Sequence, residues 1–245
     1  MNLVIDIGNT LTKLAWFDQG EIVESLRLEQ SAPQYLIGIA RKRPAEAAIL
    51  SSVGTSSGDI ARIWDKDLIK MIVLDHRTPL PIKLAYKTPE TLGRDRIAAC
   101  AGAWHLYPNI PLVVMDLGTA ITIDFISADG EYPGGNISPG MNTRFRALRT
   151  FTAKLPLVEG DPCFPPYGTD TRSAIASGVQ QGILYELNGY VEDFMTRFPD
   201  CKFIITGGDA SFFLTRLKGP VLYIPELVLK GLNCILEYNL SRGKS

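Results

Sequence analysis

Histidine and usable cysteine are scarce in this chain, and their scarcity removes whole classes of chemistry. Only two histidines occur, His76 and His105, and neither sits in a nucleophile-like context, so a Ser-His-Asp or Cys-His device has little to draw on. The four cysteines, Cys100, Cys163, Cys201 and Cys234, are isolated, with no Cys-x-x-Cys spacing. That excludes a zinc knuckle or a redox pair and reads as reduced thiols of a cytoplasmic protein. A basic excess is missing too: 25 Lys and Arg against 26 Asp and Glu leave a net charge of −1. The balance argues against nucleic acid or a membrane surface as partner. No apolar run approaches the ~20 residues of a membrane span. The opening Met1-Asn2-Leu3-Val4-Ile5-Asp6 meets a carboxylate at its sixth residue, unlike a secretory leader. Chemistry built from carboxylates, glycines and bound ions remains.

The 245 residues, 46% hydrophobic and 21% charged, suit two small globular domains. The first thirty residues read as three short strands, at Leu3 to Ile5, Leu11 to Phe17 and Glu21 to Leu28, with Asp6-Ile7-Gly8-Asn9-Thr10 as the first turn. Gly and Asn make positive φ cheap there. A helix from about Pro33 to Lys42 follows, then a strand at Ala47 to Ser51, a helix near Ser57 to Asp65 and a strand at Lys70 to Leu74. This alternation predicts an α/β layer with mostly parallel later strands. A helix from about Asp95 to Tyr107 closes the first half.

Then the opening pattern returns. Leu112 to Met115 runs into Asp116-Leu117-Gly118-Thr119-Ala120, and strands follow at Ile121 to Ser127 and near Glu131 to Ile137. One copy per half indicates two similar domains, 1–110 and 111–245. From Arg172, apolar residues at Ile175, Val179, Ile183, Leu184, Leu187, Val191, Phe194, Met195 and Phe198 form a helical stripe. Gly178 and Gly182 on one face suggest close packing. A strand at Lys202 to Ile205 enters Thr206-Gly207-Gly208-Asp209, a short strand lies at Val221 to Ile224, and a last helix spans about Glu226 to Leu240. The Pro-rich Leu155 to Tyr167 is a loop over a cleft or an interface.

An aspartate ending a buried strand at a glycine turn can serve a phosphate. Gly8 and Gly118 let the backbone approach, and successive N–H groups make an anion nest. Thr10, Thr12 and Lys13 add donors and a charge to the same mouth. Asp6 and Asp116 can hold cations, since magnesium takes oxygen ligands and bridges phosphates. Two such turns facing each other clasp a triphosphate. Taken singly, each Asp could merely cap its own turn. The Gly207-Gly208 pair can pass close to a base or ribose, or simply tighten a connection.

These turns and the late glycine pair resemble those of the superfamily of acetate and sugar kinases, Hsp70 and actin, two duplicated ribonuclease-H-like (actin-like ATPase) domains with an interdomain cleft. Within it the chain is similar to type III pantothenate kinases along nearly its whole length. The motifs are Asp6 to Thr10 with Lys13, Gly93-Arg94-Asp95-Arg96, Asp116 to Ala120, Gly134-Gly135-Asn136-Ile137-Ser138-Pro139-Gly140, Thr152-Ala153-Lys154-Leu155-Pro156 and Gly168-Thr169-Asp170-Thr171.

The resemblance implies ATP-dependent phosphorylation of pantothenate, the first step toward coenzyme A. It implies an ATP loop of Asp6, Ile7, Gly8, Asn9, Thr10, Leu11, Thr12 and Lys13, with Thr119 also on ATP. Asp95 becomes the general base, and Tyr86, Gly93, Arg94, Asp95, Arg96 and Thr171 line the pantothenate pocket. Asp116 takes potassium or ammonium, magnesium accompanies ATP, and the protein is a cytoplasmic homodimer. Position 94 is Arg where many relatives carry a small residue, which bears on pocket shape. On their own, Asp95 would read as a helix-start carboxylate, Arg96 as a solvated or salt-bridged side chain, Tyr86 as a half-buried strand residue and Thr171 as a helix N-cap. Two rival functions keep the fold: a small sugar, acetate or N-acetylhexosamine kinase, and a catalytically silent nucleotide-binding regulator. A filament or peptide-binding switch needs extra subdomains for which 245 residues leave no room.

Overall fold

The computed structural model describes residues 1–8, 10–29, 33–52 and 69–243. Asn9 and the helix expected near Ser57 to Asp65 lie outside them. The chain forms two compact units, residues 1–108, 130–133 and 226–245 in one, and 109–129 and 134–225 in the other.

The first unit is built on a sheet of five strands: β1 (Asn2–Ile7), β2 (Leu11–Asp18), β3 (Glu21–Glu29), β4 (Ala47–Ser52) and β5 (Lys70–Val73), in the order β3-β2-β1-β4-β5. The hairpins make β1–β2 and β2–β3 antiparallel, and the later strands join β1 and β4 in parallel. Strand β1 is covered on both faces, which is why Leu3-Val4-Ile5 reads as a continuous apolar run. On one face Leu3, Ile5, Leu14 and Trp16 pack with Leu36, Ile37 and Ala40 of helix α1 (Pro33–Arg41). Helix α2 (Arg94–Leu106), buried from Arg96 to Ala103, packs in the same unit on the last helix. A two-stranded pair, β6 (Lys83–Leu84) with β9 (Glu131–Tyr132), completes the unit.

The second unit repeats the plan. Strands β7 (Leu112–Leu117), β8 (Ala120–Ile126), β10 (Gly134–Pro139), β11 (Lys202–Thr206) and β12 (Val221–Tyr223) run in the order β10-β8-β7-β11-β12, with the same pattern of antiparallel hairpin and parallel neighbours. Helix α3 (Met141–Phe151) and the 27-residue helix α4 (Thr171–Arg197) pack on the sheet. Ile175, Val179, Ile183, Leu184, Leu187 and Val191 form the buried stripe expected of α4, while Met195 and Phe198 at its end are exposed. A short helix, α5 (Ala210–Phe213), follows β11. The final helix, α6 (Leu227–Arg242), packs against β1 and β4 and belongs to the first unit, not to the half of the chain in which its sequence falls.

Four expectations change. The strand expected over Glu131 to Ile137 splits at Pro133, which has no N–H to give a ladder. Its first part pairs with β6 and its second with β8. Helix α3 was absent from the sequence reading. Gly178 and Gly182 do not pack closely: a Cβ at Gly178 meets nothing within 4 Å, and one at Gly182 only Arg144 at 3.9 Å. The Pro-rich segment is a loop as expected, but Val158 and Phe164 anchor it in the core of its own unit, and Gln180 binds both the N–H and the carbonyl of Asp161.

Candidate active site

In the first unit the sheet register gathers the charged residues. Asp6 on β1 is the direct partner of Ser51 on β4 and of Lys13 on β2, and Lys13 in turn faces Arg27 on β3. Strand alternation puts these four on one face. Thr12 goes to the opposite face with Leu14 and Trp16 and is 2% exposed, so its hydroxyl and the Lys13 ammonium do not serve one mouth. Gly8 closes the turn by donating to the Leu11 carbonyl at 3.0 Å. Its φ is not positive. The glycine matters through approach instead, because a Cβ there would lie 3.2 Å from that carbonyl oxygen.

Burial pushes the Asp6 carboxyl up to about 6. The hydroxyl of Ser51, fully buried and without a hydrogen bond of standard geometry, offsets part of the rise together with Lys13. The negative charges of Asp95 and Glu226 add to it. Asp6 and Asp95 are therefore neighbours in the electrostatic sense, as a shared site requires.

Asp95 stands in the first turn of α2, half-buried, and one of its oxygens accepts the Arg96 backbone N–H at 2.9 Å. Gly93, the residue before the helix, leaves room for it: a Cβ there would stand 2.5 Å from that oxygen. Arg94 turns its guanidinium to the Ser52 carbonyl at the end of β4, so part of its donor capacity goes to the fold. Arg96 is 5% exposed and lies 5.9 Å from the centre of the Tyr86 ring, which packs on Tyr132 at 6.0 Å. Such a buried guanidinium held on an aromatic face departs from the solvated half of the expectation, a solvated or salt-bridged side chain.

Glu226 was missed. It precedes α6, its φ of 53° is left-handed, and its carboxylate binds Lys13 Nζ at 3.2 Å and the Arg27 guanidinium. Burial opposes ionisation of this carboxyl, but the two cations outweigh it and hold it below its ordinary value. Nothing in the local sequence marks the residue; 213 positions separate it from Lys13.

The second unit carries the matching turn. Asp116 ends β7 between Thr206 of β11 and Thr122 of β8, the positions that Ser51 and Lys13 hold in the first unit. The Gly118 N–H donates to the Ala120 carbonyl at 3.0 Å, as Gly8 does to Leu11. Thr119 is exposed, and its carbonyl accepts the Gly140 N–H at 3.1 Å and the Thr143 hydroxyl at 2.7 Å, which ties the turn to the start of α3. Gly207, at a φ of +96°, passes so near that a Cβ would fall 2.5 Å from Asp116 Oδ1. Any side chain there would displace the carboxylate. Gly135 and Gly140 are equally constrained, with a Cβ falling 2.3 Å from Asp124 Oδ1 and 1.9 Å from the Gly118 carbonyl. Their motif therefore shapes the turn. Thr171 is exposed in the first turn of α4, and the N-cap is its neighbour Asp170, in a reciprocal capping box with Ser173.

Among the described residues, no group of three or more His, Cys, Asp and Glu could hold a metal. A cation at either turn would share one carboxylate with hydroxyl, carbonyl and phosphate oxygens, a donor set suited to hard ions.

Two units of one sheet order, each ending its central strand in an aspartate at a tight glycine turn, define the actin-like ATPase class of fold. The solved structures agree at the level of fold. A Streptomyces griseus ROK family glucokinase in complex with glucose and AMPPNP superposes with a TM-score of 0.54 at 11% identity, covering 94% of this chain and 97% of that one. A Campylobacter jejuni protein, named as a candidate Baf family transcriptional activator, gives 0.63 at 24% identity over 98% and 99%. Residues 2–193 match the sequence model of the family described as type III pantothenate kinase. A type III pantothenate kinase of Phocaeicola vulgatus is 45% identical over 239 residues, 98% of this chain and 99% of that one. The chain belongs to the type III pantothenate kinase family.

Proposed function

We propose that the protein transfers the γ-phosphoryl group of ATP to the primary hydroxyl of pantothenate, the first step toward coenzyme A, by direct in-line transfer. Family membership over nearly the whole chain supports this most strongly. The phosphates bind along Asp6 to Lys13, where backbone N–H groups and Lys13 meet their charge, and Thr119 is assigned to ATP by its place in the family motif. Magnesium would accompany ATP, and Asp6, a half-buried carboxylate beside the Ser51 hydroxyl, is the residue that would hold it, where the ion would supply positive charge to offset that of the phosphates. A monovalent cation, potassium or ammonium, sits at Asp116, whose ladder neighbours are the hydroxyl-bearing Thr206 and Thr122.

Asp95 accepts the proton of the attacking hydroxyl. Its carboxylate accepts the Arg96 N–H in the first turn of its helix, a contact that fixes its direction beside the acceptor hydroxyl. Arg96 and Tyr86 form the wall that receives pantothenate, the guanidinium pairing with its carboxylate. Thr171 is assigned to pantothenate by its place in the family motif alone.

The protein acts as a cytoplasmic homodimer. In α4 an outward row of Gly178, Gly182, Tyr185 and Gly189 lies open, with Ile137 and Phe151 also exposed in the same unit, a surface suited to a second copy. Sedimentation at twice the monomer mass is expected, and a monomer at assay concentration would remove the dimer. The test of the chemistry is Asp95→Asn, which keeps the shape and removes the base. Turnover falls about 10²–10⁴-fold while binding of a non-hydrolysable ATP analogue is retained. An Asp95→Asn protein of full activity contradicts the assignment.

A further inference from the structure

We infer that Glu226 is a positioning residue for the nucleotide: its carboxylate holds the Lys13 ammonium away from Asp6 and keeps both charges available to a phosphate group. This rests on the kinase reading above and extends it to a residue outside every motif of the sequence. Ser51, Asp6, Lys13 and Arg27 form a row across four neighbouring strands. Directly opposed Asp and Lys on antiparallel strands ordinarily pair with each other. Here Lys13 Nζ pairs instead with Glu226 Oε2, at 3.2 Å, while Arg27 takes Oε1. One carboxylate forks between two cations.

The consequence is electrostatic. Were Lys13 to close on Asp6, the aspartate could not receive the cation that travels with the phosphates, and the ammonium could not reach a phosphate oxygen. With Glu226 in place neither charge is consumed by the other. The second cation makes release inexpensive as well. When Lys13 moves onto a phosphate, Arg27 still holds the Glu226 carboxylate, whose side chain is only 15% exposed, so no acid is left unpaired in a partly buried place. The residue is kept in a left-handed backbone conformation, φ 53° and ψ 30°, where glycine or asparagine would be the easier choice. Strain retained by a charged side chain at a site points to work done by that side chain.

The experiment uses the full chain and the variants Glu226→Gln, Glu226→Gly, Lys13→Ala and the double variant Lys13→Ala with Glu226→Gln. Equilibrium binding of AMPPNP is measured beside the steady-state kinetics of ATP. Glu226→Gln is expected to weaken AMPPNP binding and raise KM for ATP by about five- to twentyfold, with kcat changed less than threefold, as loss of one charged hydrogen bond implies. The double variant should bind no worse than Lys13→Ala alone, because the two residues act through one contact. Glu226→Gly relieves the backbone; it should melt no lower than the wild type and still lose nucleotide affinity. Unchanged AMPPNP binding in Glu226→Gln and Glu226→Gly, or fully additive losses in the double variant, overturns the inference. If the wild type fails to phosphorylate pantothenate, the substrate assignment falls while the AMPPNP measurements still decide the role of Glu226.

Discussion

Asp6 carries the largest electrostatic cost that the described part of the site shows. Its carboxyl loses its proton near 3.8 in an unfolded chain and at about 6 in the folded one. The folded state therefore holds the extra proton between those values, and stability from this group falls as pH rises from about 4 to 6. Above 6 the full penalty is present, up to about 3 kcal/mol at 1.36 kcal/mol per unit. Asp6→Asn is therefore expected to melt higher than the wild type at pH 7 to 8, with the gain vanishing below pH 4, and to lose activity. A gain independent of pH, read by thermal melting across that range, contradicts the origin given for the shift. Retaining a costly carboxylate is what a site for phosphate and cations demands. At this scale the sequence was legible where function is local. Asp6, Lys13 and Asp95 stood in or beside recognisable turns; register pairs Asp6 with Lys13, and the charge of Asp95 reaches Asp6. Glu226 and the buried state of Arg96 were not, because both depend on contacts between distant segments that no periodicity reports.

Helices α2 and α6 approach through glycine. A Cβ on Gly231 would stand 1.7 Å from the Ala98 carbonyl oxygen, and Gly102 lies against Gly231 from the other side. Backbone, not flexible side chain, fills that space, so relief needs the helices to separate. Gly231→Ala is expected to destabilise the protein by about 1–3 kcal/mol, although alanine favours a helix, and denaturant titration measures it. A stabilised Gly231→Ala would mean that the helices lie farther apart. The presence of glycine in a helix could not find this pair: on α4 a Cβ at Gly178 meets nothing within 4 Å and one at Gly182 only Arg144 at 3.9 Å. Most strands of the two five-stranded sheets, by contrast, lie within a residue or two of the sequence pattern, since apolar runs bounded by turns are a local signal, whereas β6 has no such run and the Glu131 to Ile137 strand splits at Pro133. Helix α3 is hard to see in the sequence although Met141, Phe145 and Leu148 recur at helical spacing, because Pro139 and the glycines before it are turn formers.

The whole chain is a duplication put to unequal use. Both units share one strand order and one aspartate turn, yet the ladder neighbours differ: Ser51 and Lys13 flank Asp6, while Thr206 and Thr122 flank Asp116. A cation beside one acid and hydroxyls beside the other suit a division of labour, phosphate at the first turn and a monovalent ion at the second. The return of α6 to the first unit was hidden from a linear reading, which assigned each half of the chain to its own domain. Balanced overall charge leaves substrate recognition to these local groups. Their combined action is tested most directly by the rate of ADP release from ATP with pantothenate, and with a sugar panel in its place, in potassium and in sodium buffer. Turnover is expected with pantothenate and not with the sugars, strongly dependent on potassium or ammonium. Equal rates in sodium and potassium would contradict the role of Asp116, and ADP release with a sugar but not with pantothenate would contradict the function itself.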